Sequence, residues 1–172
     1  MNLFFRLLWF VIFTGGRSKV SSFGPCRTPF RCWLTDLDVF GHMNNSRYFS
    51  LMDLARFDLM RRSGLLAKLE KASWYPVVVA ETITFKKMLK PWVQFEIETT
   101  VLGWDNKAFL LRQCFLDGDK VIADAIVRAR FLKRSGGSVK VEELLNLAGV
   151  TEESPAIEPW IMAWNEAQIQ AS

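Results

Sequence analysis

The stretch Asp36-Leu37-Asp38-Val39-Phe40-Gly41-His42-Met43-Asn44-Asn45-Ser46-Arg47-Tyr48 decides how this chain is read. It places two acids, the single histidine and two asparagines directly before an apolar-periodic segment. From Ser46 to about Arg62 the positions Tyr48, Leu51, Met52, Ala55, Leu59 and Met60 recur at helical spacing, and Ser63-Gly64 predicts the helix end. The stretch is therefore the entry loop of a long helix, and Asn44, Asn45 and Ser46 are residue types that cap one. A carboxylate and an imidazole beside a helix N-terminus are the parts needed to activate water and hold an oxyanion.

Outward from this loop the chain reads mainly as strand. Thr28 to Leu34 precedes it as a predicted first strand, and Tyr75 to Leu89, rich in Val, Thr, Ile and Phe, follows the helix. Val93, Phe95, Ile97, Thr99 and Val101 alternate with polar residues, which predicts a half-buried strand. Turn residues at Gly103–Lys107 and Asp117-Gly118-Asp119 set off two more strands, Ala108–Leu116 and Lys120–Lys133. In the last of these Val121, Ala123, Ala125, Val127 and Ala129 share a face whose small residues let a helix lie close. Gly136-Gly137 breaks the pattern, and helices are predicted over Val139–Leu147 and Glu158–Gln168. Strand, long helix and antiparallel meander make an α+β class, one sheet wrapped around one helix.

With 172 residues, half of them apolar, the chain suits one domain with a real core. We divide it into an apolar N-terminal segment with linker, residues 1–27, and one domain over residues 28–172. The 22 basic and 18 acidic residues leave a net charge of +4, and the basic residues are scattered, which argues against a nucleic-acid partner. Cys26, Cys32 and Cys114 lack Cys-x-x-Cys spacing, which points to reduced thiols in a cytoplasmic setting and to no zinc site. No other metal or cofactor is implied. Residues 1–13, Met-Asn-Leu-Phe-Phe-Arg-Leu-Leu-Trp-Phe-Val-Ile-Phe, are too few to span a bilayer, and Arg17 and Lys19 behind them disfavour export. Two readings stand: a peripheral membrane contact or a helix docked on the body of the protein.

Each candidate site residue also has a plain structural reading. Asp38 in a turn is commonly an Asx-turn or cap, and a lone histidine such as His42 is commonly a buried hydrogen-bonding residue. Gly41 serves a tight turn, Asp36 suits a structural role, and Tyr48 suits the core. Glu81, amid Val77, Val79, Ile83 and Phe85, is either at a sheet edge or facing a cavity.

The motif Asp38-x-x-Gly41-His42-x-Asn44-Asn45-x-x-Tyr48 resembles the signature of hotdog-fold thioesterases. Over about residues 28–134 the chain resembles their 4-hydroxybenzoyl-CoA thioesterase-like branch. More narrowly, Leu102-Gly-Trp-Asp105 with Ala108-Phe109, Trp160-Ile161 and Asn165-Glu-Ala167 are similar to the family called thioesterase superfamily member six. The resemblance implies a hotdog fold and an acyl-CoA thioesterase, with coenzyme A present only as part of the substrate. It implies Asp38 as general base or nucleophile, His42 as a positioning group, and an oxyanion donor around Asn44 to Ser46, centred on Asn45. Gly41 and Asn44 are then candidate substrate contacts, and Arg128 and Arg130, with Lys133, candidate contacts to coenzyme A phosphates. It also implies a homodimer or dimer of dimers. Plant acyl-carrier-protein thioesterases look similar here, but Phe40 stands where they carry the middle asparagine of Asp-x-Asn-x-His. Two further readings are carried: an acyl-carrier-protein thioesterase, and a non-catalytic acyl- or lipid-binding protein at a membrane surface.

Overall fold

In a computed structural model the described residues are 17–170. The expectation for residues 1–13 therefore falls outside them. The strands are β1 (Cys26–Arg31), β2 (Trp74–Phe85), β3 (Gln94–Trp104), β4 (Phe109–Asp117) and β5 (Lys120–Lys133). The helices are α1 (Asn45–Arg62), α2 (Leu65–Ala72), α3 (Val141–Ala148) and α4 (Pro159–Gln170). All pairings are antiparallel, in the order β1-β3-β4-β5-β2. Among the described residues no helix is long and apolar enough to cross a membrane.

The helical spacing from Ser46 places Tyr48, Leu51, Met52, Ala55 and Leu59 on the buried face of α1. They share one core with Ala123, Ala125, Val127 and Ala129 of β5. Each fully buried Leu or Met contributes about 1.5–3 kcal/mol of transfer free energy. Two buried charges tie α1 to the sheet. Asp58 accepts from Thr28 Oγ1 at 2.8 Å and pairs with Arg17 at 2.6 Å. Arg56 donates to Gln113 Oε1 and pairs with Asp53.

Three elements differ from the sequence reading. The first strand is Cys26–Arg31, and Leu34–Asp36 forms a short 3-10 turn instead of extending it. It begins inside the stretch read as linker. α2 was not anticipated: Gly64, at φ +77°, turns the chain so that Leu69 buries itself beneath a second helix. The third difference is that the sheet is covered on both faces. Ile161 of α4 packs with Leu110 and Ile126 on the side away from α1. Ser154 Oγ accepts from the Trp104 N–H at 2.9 Å and anchors the strap leading into α4.

Candidate active site

The loop before α1 is built from main-chain bonds. Leu37 and Met43 form an isolated antiparallel bridge, and the Met43 N–H donates to the Leu89 carbonyl at 3.0 Å. The Asn44 N–H donates to the Asp36 carbonyl at 2.8 Å, and the buried Asp36 carboxylate accepts the Trp33 N–H at 2.9 Å. Asp36 thus has a structural position. Between these ties Gly41, at φ +75°, makes the turn; a Cβ there would meet nothing within 4 Å, so backbone conformation and not space selects glycine.

Asp38 is held at the base of that turn. Its Oδ1 accepts the N–H groups of Phe40 at 2.9 Å and His42 at 3.3 Å. The Asx-turn reading is therefore present in the geometry, and it does not compete with chemistry: Asp38 also borders a cavity of about 620 Å3. That volume lies within the ~300–1,000 Å3 range of small-molecule sites. Asp38, His42, Asn45 and Tyr48 form one part of its wall, and Phe85, Lys86, Lys87 and Met88 the part opposite in sequence.

Helix capping decides which N–H groups remain for a ligand. Asn44 is the N-cap, and its Oδ1 accepts from the N–H of Ser46 at 2.9 Å and the Ser46 hydroxyl at 2.8 Å. The Asn44 N–H is spent on Asp36, as above. Of the three amides expected near the helix start, this leaves that of Asn45, the first helical residue, whose N–H has no intrahelical carbonyl to reach.

The other candidates lie elsewhere. Arg128 is buried under α4, where its guanidinium donates to Asn165 Oδ1 at 2.7 Å and Asp105 Oδ2 at 3.2 Å. Burial raises the Asp105 pKa, but the Asn165 bond, the N–H groups of Lys107 and Ala108 and the charge of Arg128 outweigh it and hold the carboxyl below its ordinary range. Arg130 donates to Ser138 Oγ at 3.0 Å, and Lys133 pairs with Glu143 at 2.9 Å. None of the three borders the cavity. The cations that do, Lys86 and Lys87, were read only as part of a strand. Their one signal was a basic pair at its end, where the apolar pattern stops.

Tyr48 is in the core as expected, with its ring centroid 4.9 Å from those of Phe85 and Phe115, and it also lines the cavity. Glu81 sits on edge strand β2, 3.7 Å from Arg56, and burial raises its pKa more than that cation lowers it. Among the described residues no group of three or more His, Cys, Asp or Glu side chains is arranged to hold a metal ion.

One antiparallel sheet around a central helix, with a carboxylate loop at the helix N-terminus, defines the hotdog class of thioesterase-like proteins. The family model described as the thioesterase-like superfamily matches residues 32–165, and the chain belongs to that superfamily. It is similar to the protein THEM6 of Xenopus laevis, with 39% identity over 95 residues, 55% of this chain and 46% of that one. It is also similar to THEM6 of Drosophila melanogaster, 28% identical over 138 residues, 79% of this chain and 69% of that one. The match thus spans about half the length of the frog relative. Among solved structures, the YbaW probable thioesterase from Escherichia coli superposes with a TM-score of 0.67 at 22% identity, covering 71% of this chain and 95% of that one. The gentisyl-coenzyme A thioesterase BH1999 superposes at 0.63 with 21% identity, covering 70% and 98%.

Proposed function

We propose that the protein is an acyl-CoA thioesterase that hydrolyses an acyl-CoA thioester to free acid and coenzyme A. The observation that carries the reading is the meeting of Asp38, His42 and the Asn45 end of α1 in one cavity with Lys86 and Lys87. The Asn45 N–H, at the positive end of the helix, polarises the thioester oxygen and stabilises the oxyanion. Asp38 either takes a proton from the attacking water or attacks the carbonyl itself, giving an anhydride that water then opens. His42 orients the reacting groups, with Gly41 and Asn44 shaping the loop around them. The coenzyme A thiolate leaves and is protonated from solvent, and Lys86 and Lys87 supply cations for its phosphates. Arg128 and Arg130, bonded as described, are assigned to structure instead. No cofactor is required beyond the coenzyme A carried by the substrate.

The functional unit is a homodimer formed along β2. Its exposed Tyr75, Val78, Val79 and Phe85 lie on a twelve-residue edge strand, the kind of surface an identical strand can cover. A dimer of dimers would join two such pairs through surfaces other than β2. We place the protein in the cytoplasm, with residues 1–13 as a peripheral membrane contact. Deletion of residues 1–15 tests that contact: loss of liposome sedimentation with turnover intact supports it, and an insoluble product supports docking on the body instead.

The test of activity is turnover across a panel of acyl-CoA lengths, with acyl-carrier-protein thioesters alongside. Hydrolysis of acyl-CoA that is lost in Asp38→Asn supports the reading. Preference for the carrier-protein thioester favours the second enzyme, and chain binding without any hydrolysis favours a non-catalytic acyl-binding protein.

A further inference from the structure

Exposed large apolar side chains fall in three places among the described residues. Tyr75, Val78, Val79 and Phe85 lie on β2, where the proposed partner covers them, and Trp160 and Ile169 lie on α4. The other six, Trp33, Leu34, Val39, Phe40, Met88 and Trp92, stand on two loops, residues 32–44 and 86–93, beside the N-terminal end of α1. The bond from the Met43 N–H to the Leu89 carbonyl joins the loops, and Trp33 and Trp92 meet edge to face at 5.6 Å yet stay 39% and 53% exposed. Phe40 and Met88 border the cavity at Asp38, so the patch reaches its mouth. Trp33 and Leu34 follow β1 and Trp92 precedes β3, at the margin of the sheet opposite β2, so a copy paired along β2 leaves them open. Trp92 also holds φ +69°, with its N–H pinned by the Cys32 carbonyl at 2.7 Å. In a conformation that favours glycine, on a residue half exposed, neither the backbone nor the core selects a large ring.

We propose that these two loops dock the mouth of the Asp38 cavity onto the headgroup layer of an anionic bilayer. Tryptophan rings settle where an apolar layer meets water. Val39 and Phe40, 93% and 80% exposed, protrude from a turn, and a fluid layer takes up protruding side chains without a matching pocket. Charge agrees with the lipid. Arg31 and the loops carry four basic residues, Arg31, Lys86, Lys87 and Lys90, against two acids. Of those acids Asp36 is buried, and Asp38 is held in its own turn by the Phe40 and His42 N–H groups. Lys86 and Lys87 line the cavity, which leaves Arg31, 5.8 Å over the Trp33 ring, and Lys90 as the cations for lipid phosphates. This surface is separate from any contact made by residues 1–13. Arg17 and Val20, which follow that segment, are tied to Asp58 and Arg62 at the far end of α1, a helix of 18 residues and about 27 Å. Docked in this way, the cavity opens to the lipid, and an amphiphilic thioester reaches Asp38 without crossing bulk water. That consequence rests on the thioesterase reading; the docking itself does not.

The experiment is co-sedimentation of the full-length protein with phosphatidylcholine vesicles, with and without phosphatidylserine. Trp33→Ala combined with Trp92→Gly should weaken binding to both vesicles by about tenfold or more. Its thermal midpoint should hold or rise, because glycine relieves the backbone at position 92. Leu34→Glu repeats the test with a single exposed substitution, should the paired variant unfold. Arg31→Gln and Lys90→Gln should each cost about fivefold on the phosphatidylserine vesicles and nothing on phosphatidylcholine alone. All these variants should hydrolyse a short, water-soluble acyl-CoA as the parent does, while turnover of a long-chain acyl-CoA presented in vesicles falls with binding. Folded tryptophan and Leu34 variants that sediment as the parent does would overturn the proposal and leave any membrane contact to residues 1–13. So would a parent that binds no vesicles, or a patch whose loss abolishes binding to an acidic carrier protein and spares the vesicles. Patch-dependent vesicle binding by a protein that hydrolyses no thioester would keep the docking and remove the thioesterase reading; hydrolysis without docking would do the reverse.

Discussion

His42 and Asp38 hold each other from both ends of one turn: the His42 N–H donates to Asp38 Oδ1 at 3.3 Å, and the Asp38 N–H donates to the His42 carbonyl at 2.8 Å. The carboxylate is thereby fixed by its acceptor capacity, whereas its proposed chemistry depends on its charge. Asp38→Asn keeps an Oδ1 that can accept the same two amides, so the loop and the thermal midpoint should be preserved. Turnover of acyl-CoA should fall by about 10²–10⁴, the contribution of a positioned acid or base. Steady-state kinetics beside circular dichroism checks this, and wild-type turnover in a folded variant removes Asp38 from the chemistry.

Lys86 and Lys87 face the cavity from the end of β2. Replacing both by Ala should raise KM for acyl-CoA about tenfold, equivalent to ~1.4 kcal/mol of binding, with kcat little changed. The same variant should hydrolyse a truncated thioester lacking the nucleotide as well as the parent does. A KM effect equal for both substrates would mean that the lysines do not meet the phosphates.

Arg128 predicts the opposite signature. Arg128→Ala leaves Asp105 without its cation under α4, and cutting a buried pair costs about 3–5 kcal/mol, or roughly 10 °C of thermal midpoint in a chain of this size. KM of the surviving folded fraction should not move. A selective rise in KM at unchanged stability would restore Arg128 as a substrate contact.

The Asp105 carboxyl, held below its ordinary range in the folded chain, fixes a pH dependence. Its stabilising effect is full above the unfolded value near pH 3.9 and is lost as pH falls through the lower, folded value. Asp105→Asn should therefore lower the thermal midpoint at pH 7 and flatten its fall below about pH 4. Parallel acid curves for variant and parent would show that Asp105 carries none of the acid sensitivity.

Gly103 touches the strap into α4 so closely that an added Cβ would sit 2.6 Å from Ser154 Oγ and 2.8 Å from Ile157 Cδ1. Gly103→Ala should cost about 1–3 kcal/mol by overpacking and expose residues 150–170 to limited proteolysis first. An unchanged cleavage pattern would mean that the strap yields without releasing α4.

Period and turn chemistry carried most of the fold. Strict alternation at Phe95, Ile97 and Thr99 located β3, which presents one clean face to α1, and Asp117-Gly118-Asp119 located the β4–β5 hairpin by its turn chemistry. The pattern failed where two faces are covered. Ile126 and Arg128 alternate with Ala125, Val127 and Ala129 of β5 and are buried as well, so α4 left its mark as the loss of a polar face. Asp38, Gly41, His42 and Asn45 are legible because they sit within eight residues. Lys86 and Lys87 reach the same cavity from the loop after β2, where the strand expected to run to Leu89 stops at Phe85, and only tertiary packing brings them there. Arg128 and Arg130 read as cations free to bind, since the sequence does not show that Asn165 and Ser138 come to meet them.

The two margins of the sheet are unlike. β1 is six residues long, carries Pro29, and gives its Arg27 carbonyl to the guanidinium groups of Arg17 and Arg62. β2 is twice that length. A ribbon sealed along one border and open along the other can accept one identical neighbour and then has only sealed borders left. If copies pair through β2 as proposed, the association is self-limiting, since the ten-stranded pair would present only β1 borders.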